Sequence, residues 1–146
     1  MKFIGFFREM HGEERRRGES LLEAARIQGD YDTAGMTSYL ASGHPVLDVM
    51  EATSDLIGNK FHSPGGASVV TDGKYAWRTD LVEYVRHYRI NLPQEFVQWV
   101  DGNSYEVPEV DQQDLIDISI PVNHFLGFNV DPGAGPRRKR EGKNTS

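Results

Sequence analysis

Six carboxylates, Asp101, Glu106, Glu109, Asp111, Asp114 and Asp117, are the residues of this chain whose type and spacing most directly suggest chemistry. One chemistry they suit is docking of a basic protein. An acidic surface of this kind imitates the phosphate charge that such a partner normally binds, and it speeds a salt-dependent association. The plainer reading is a solvated acidic face that aids solubility, and it stays open beside the first. A third use of such groups is calcium binding, because Asp111, Asp114 and Asp117 have helical spacing with Glu106 and Glu109 nearby. Ca²⁺ needs several oxygens converging from one loop, and the pattern D-x-[DN]-x-[DN]-G-x₅-E is absent, so no metal is expected here.

Other reactive types are scattered. His11, His44, His62, His87 and His124 show no H-x-x-x-H pair, and no cysteine accompanies them, so none is assigned as a metal ligand. His87, beside an apolar helix face, is the histidine expected to be most nearly buried. No G-x-S-x-G occurs; Gly65-Gly66-Ala67-Ser68 resembles one loosely but precedes a strand, where a nucleophile elbow precedes a helix. Gly133-Ala-Gly135 opens no helix and makes no phosphate loop. Asp48, Glu51, Asp55 and Asp72 are further carboxylates that nothing in the sequence converges. No catalytic residue, cofactor or metal is therefore assigned, and an enzyme is the less favoured class.

The acidic residues lie in a bounded stretch. From Ile90 to Pro136 there is no Lys or Arg against eight Asp and Glu, whereas 137–146 carries five basic groups and one acid. A surface of one sign is a statement about partners, and this one points towards a basic partner. The tail run Arg137-Arg-Lys-Arg140 lacks aromatics on which bases could stack, so nucleic acid is not the expected partner. The chain has 146 residues with 38% hydrophobic content, enough for one folded domain. The absence of cysteine excludes disulfides and thiolate chemistry. MKFIGFFREM is too short for a signal sequence, and no run is long enough to span a bilayer, which leads to the expectation of a soluble, cytoplasmic protein.

Several elements must hold these residues in place. Lys2–Arg8 reads as a first strand, and the polar run 11–19 as a loop. Ser20 and Glu23 form a capping box for a short helix stopped at Gly29. Asp32 or Thr33 caps a second helix with Met36, Tyr39 and Leu40 on one side, and the two helices suggest a helical hairpin. A strand is placed near Val46–Glu51. Ala67–Thr71 and Lys74–Arg78 flank Asp72-Gly73, the signature of a type I′ hairpin. Thr79 then caps a helix with Leu81, Tyr84, Val85 and Tyr88 inward, and Pro93 starts another carrying Phe96, Val97, Trp99 and Val100. Trp77 and Trp99 are expected in the core, although Trp77 and Arg78 would also suit a partner surface. A helical turn after Asp111 followed by a strand reaching His124–Phe128 completes the order. The expected fold is α+β: a mostly antiparallel sheet, a central DG hairpin, helices packed on one side. Residues 1–130 make one domain, and 131–146 a disordered basic tail.

The run from Thr71 to Arg89, TDGKYAWRTDLVEYVRHYR, followed by Leu92-Pro-Gln-Glu-Phe96, has the form TDG-x-[YW]-x-WR-x-DL-x-x-YV and then LP-x-x-F. It resembles a pattern of small bacterial proteins that are similar in size and acidity to immunity proteins of polymorphic toxin systems. The resemblance implies an α+β fold and neutralisation of a toxin domain by tight binding, and it transfers no catalytic residue. The expected function is thus an immunity or inhibitor protein that blocks the active site of a basic toxin domain. Asp101, Glu106, Glu109, Asp111, Asp114 and Asp117 would supply the charge. The alternatives are a small-ligand-binding or enzymatic α+β domain with a pocket between sheet and helices, or a phage-derived accessory protein.

Overall fold

A computed structural model of the chain describes residues 1–10 and 18–127. The first half runs β1 (Lys2–Phe3), α1 (Leu21–Arg26), α2 (Thr33–Ala41), β2 (His44–Leu47), β3 (Thr53–Ser54) and β4 (His62–Ser63). The second half runs β5 (Val69–Thr71), β6 (Tyr75–Arg78), α3 (Leu81–Tyr88), α4 (Gln94–Gly102) and α5 (Gln112–Phe125). The sheet order is β1-β6-β5-β2, with β1 parallel to β6 and the other pairs antiparallel, and β3 and β4 form a separate small ladder. This is the expected α+β class, centred on the expected hairpin.

The hairpin shows why these residues fold as they do. Val70, Tyr75 and Trp77 pack into one cluster, whereas Val69 and Ala76 pack into another, so the alternation of a strand divides the sheet into two faces. Tyr75 and Trp77 meet Met36, Tyr39 and Leu40 of α2, Leu81 and Val85 of α3, and Phe96 and Val100 of α4. Phe96 is the hub, with its ring 4.9 Å from Tyr75 and 5.7 Å from Trp77 in T-shaped contacts. Trp77 is fully buried, with its indole N–H donating to the Leu40 carbonyl, as a core role requires. Trp99 is half-buried at the edge of the same cluster.

Local details differ from the sequence reading. The turn of the hairpin is displaced by one residue: Asp72 pairs with Tyr75, leaving Gly73 at the first central position with φ +101°. That is the arrangement that demands glycine at one position only, so Asp72 needs no positive φ. β1 stops at Phe3 because Gly5 turns the chain at φ +75° over the Leu81 side chain. β2 starts two residues before the expected Val46 and ends at Leu47, well short of Glu51, and it is irregular between Pro45 and Leu47. Thr79 does not cap α3; its hydroxyl donates to the Gly65 carbonyl, and Asp80 takes the capping position. α2 packs chiefly on α3 and does not form a hairpin with α1.

The largest correction is at the C-terminal end, where the expected turn and strand are one helix, α5. The alternation Ile116-Asp-Ile-Ser-Ile120 proves to be helical, with Leu115, Ile118 and Val122 (i, i+3, i+7) turned towards Val46, Val69 and Ala76. α5 thereby covers the face of the sheet opposite α2, α3 and α4. The proposed tail, 131–146, lies outside the described residues.

Candidate functional site

The hairpin turn, α4, the link from Pro108 to Val110 and the first half of α5 enclose a groove of about 550 Å³. Each wall is held by identifiable contacts. The Asp72 carboxylate, itself buried, accepts from the Tyr39 hydroxyl at 2.5 Å and from the amides of Lys74 and Tyr75 at 2.9 and 2.7 Å. It also accepts from the Trp99 indole N–H at 3.0 Å, so one anion fixes the turn and the floor of the groove together. Burial, and then the hydrogen bond to the Asp72 carboxylate, push the Tyr39 hydroxyl well above its usual pKa, which keeps it a donor. The link is pinned by His44 Nε2, 2.9 Å from the Pro108 carbonyl. Val110 lies against Gly73, where an added Cβ would come within 3.1 Å of its methyl. Asp111 caps α5 by accepting from the Asp114 amide at 2.9 Å, and so aims the first turn of the helix.

All six carboxylates singled out in the sequence are exposed, but they do not act as one patch. Glu109, Asp114 and Asp117 line the groove. Asp111 lies outside it as the helix cap, and Asp101 and Glu106, on the last turn of α4 and in the link beyond, do not line it either. Asp117 accepts from the Gln113 amide at 3.1 Å, while Glu109 and Asp114 make no ion pair among the described residues. Apolar surface from Val110, Ile118 and Pro121 completes the walls. The cation in the groove that sequence inspection missed is Lys74, whose ammonium lies 4.4 Å from the centre of the Trp99 ring. Alternation in the hairpin would have turned Lys74 outward; nothing local could have paired it with Trp99, 25 residues away in sequence.

This geometry suits recognition of a positive group. Aromatic face, carboxylates and apolar walls are the chemistry that suits a cation with an aliphatic stem, as Lys74 itself shows on Trp99. Among the described residues no group of three or more His, Asp or Glu is disposed to hold a metal ion. No helix among them is long and apolar enough to cross a membrane.

A second, smaller cleft of about 170 Å³ lies over the buried pair Arg78–Asp80. The guanidinium holds both Asp80 oxygens, at 3.2 and 2.8 Å, and Thr53 donates to the same carboxylate at 2.9 Å. Burial raises the Asp80 pKa despite the lowering effect of Arg78. This pair ties β6 to the start of α3 and to the β3–β4 ladder, a structural role. Asp55 is likewise spent on structure: its carboxylate accepts from the amides of Ile57, Gly58 and Lys60 and from the Tyr88 hydroxyl. Its pKa is lowered, because these bonds outweigh the burial that opposes them. His87, expected to be the most buried histidine, is exposed, stacking on Phe61 at 5.4 Å with Glu83 3.4 Å away; His44 is the more enclosed.

No family model, curated protein or solved structure matches the chain.

Proposed function

We propose that this chain is an immunity or inhibitor protein that binds a basic toxin domain of a bacterial system in the cytoplasm and blocks its active site. The observation that carries the reading is the groove: Glu109, Asp114 and Asp117 converge there beside an aromatic floor, in a stretch where residues 90–127 carry no Lys or Arg. A surface of this kind attracts a basic partner at long range and offers apolar contact once the partner arrives. Toxins that act on polyanions carry basic active-site clefts, and an acidic lobe inserted there competes with the substrate. Asp101, Glu106 and Asp111, which ring the groove in sequence but do not line it, would contribute to steering.

The test is co-expression with the product of the reading frame beside this chain in its source genome, which on this reading is toxic when expressed alone. The wild-type chain restores growth, and a Glu109→Lys/Asp114→Lys/Asp117→Lys variant of intact fold does not. Growth restored equally by both would remove the groove from the interface.

One observation favours a second reading, a small-ligand site. A volume of about 550 Å³ lies in the range of pockets that enclose small molecules. No histidine lines it, however, so the general acid and base that an enzyme would need reduce to the carboxylates and Lys74.

A further inference from the structure

Lys74 lines the groove together with three exposed carboxylates to which it is not paired. Lys74 is exposed and sits over Trp99 at 4.4 Å and over Tyr75 at 5.8 Å, yet it makes no ion pair with Glu109, Asp114 or Asp117. The Trp99 ring cannot swing away from it, because its N–H is held by buried Asp72 at 3.0 Å. The groove therefore has a rigid cation–π floor already filled from within, and an acidic wall with no counter-ion among the described residues.

On the reading of the groove given above, we infer that it is a socket for one arginine side chain of the protein partner, and that Lys74 is a resident cation which that arginine displaces. Arginine fits these surroundings better than lysine. Its planar guanidinium can lie on the Trp99 ring and turn its N–H edge to two carboxylates, and Asp114 and Asp117, three residues apart on α5, share one side of the helix. Its stem has Val110 and Ile118 to lie against. Displaced Lys74, on the tip of an exposed turn, swings into solvent at little cost. In the free protein Lys74 weakens the site twice over, by covering the ring and by offsetting the negative charge.

The test uses ¹⁵N-labelled protein titrated with N-acetyl-arginine amide at low salt, read at the two indole N–H signals. Trp77, buried and bonded to Leu40, is the internal reference, and Trp99 is the reporter. The Trp99 signal should shift saturably while Trp77 stays still. Lys74→Met should tighten the binding about two- to five-fold, as release of an exposed cation–π contact implies. Lys60→Met removes the same charge from a lysine stacked on Tyr88, outside the groove, and should leave the affinity unchanged. Glu109→Gln/Asp114→Asn/Asp117→Asn should abolish the response. A silent Trp99, or a Lys74→Met effect no larger than that of Lys60→Met, would overturn the inference. A Trp99 that responds to spermidine but not to the arginine amide would also overturn it, in favour of a small-amine site. The socket and the proposed function fail separately. A toxin neutralised through the acidic face with Trp99 unresponsive to arginine removes only the socket. A responsive Trp99 in a chain that neutralises no toxin removes only the function.

Discussion

The Glu9 carboxylate accepts from the Ser20 hydroxyl at 2.6 Å and from the amides of Leu21 and Leu22 at 2.6 and 3.2 Å, fastening the start of α1 to the turn at Arg8–Met10. Burial alone would raise its pKa, but these bonds outweigh it and bring the carboxyl down from 4.5 to about 2. Because the folded state holds the proton less tightly, the contribution of Glu9 is complete above about pH 4.5 and lost as the pH falls towards 2. Glu9→Gln should therefore flatten the fall in unfolding free energy across that window, which denaturant titrations at several pH values will read. Asp72 gathers four donors, and Asp72→Ala leaves the buried Tyr39 hydroxyl without its acceptor and deprives the Trp99 N–H of its own. The expected cost is about 3 kcal/mol in urea unfolding, against about 1 kcal/mol for Tyr39→Phe, which removes one donor only. Sequence inspection found the Ser20–Glu23 bond, since a cap acts over three residues, and it holds at 3.3 Å. It could not find Glu9 or Asp72 in these roles, because their partners lie up to 33 residues away and any buried anion would read the same.

At the scale of elements, local signals were legible where one period dominated. The helical spacing of α3, the apolar face of α4 and the Asp-Gly hairpin are each set by neighbours within a few residues. α5 was misread for physical reasons. Isoleucines at 116, 118 and 120 give a period of two, and Pro121 argues against a continuing helix. The helix continues because packing of Leu115, Ile118 and Val122 on the sheet outweighs the lost bond. Pro121 has no N–H for the Asp117 carbonyl four residues back, so the helix carries a local defect at the wall of the groove. Pro121→Ala restores that donor at an exposed position, and should raise the unfolding free energy by about 1–3 kcal/mol with added helical circular dichroism. A variant less stable than wild type would show that the proline shapes a wall the fold depends on.

For the whole molecule, the absence of Lys and Arg between Ile90 and Pro136 was legible as charge but not as shape. The chain places those carboxylates on different surfaces: one caps a helix, three share a groove, and two stand apart. The groove was illegible because it joins Lys74, Trp99, Glu109 and Asp117 from four separate segments, and only the fold brings them together. The most direct test of that convergence is the association rate with a toxic domain that the chain neutralises in co-expression, measured as a function of salt for the wild type and for Glu109→Gln/Asp114→Asn/Asp117→Asn. Steering by the groove predicts an association that slows steeply with salt in the wild type, and a variant that is slower at low salt and only weakly salt-dependent. Identical rates and identical salt slopes for the two proteins would contradict it.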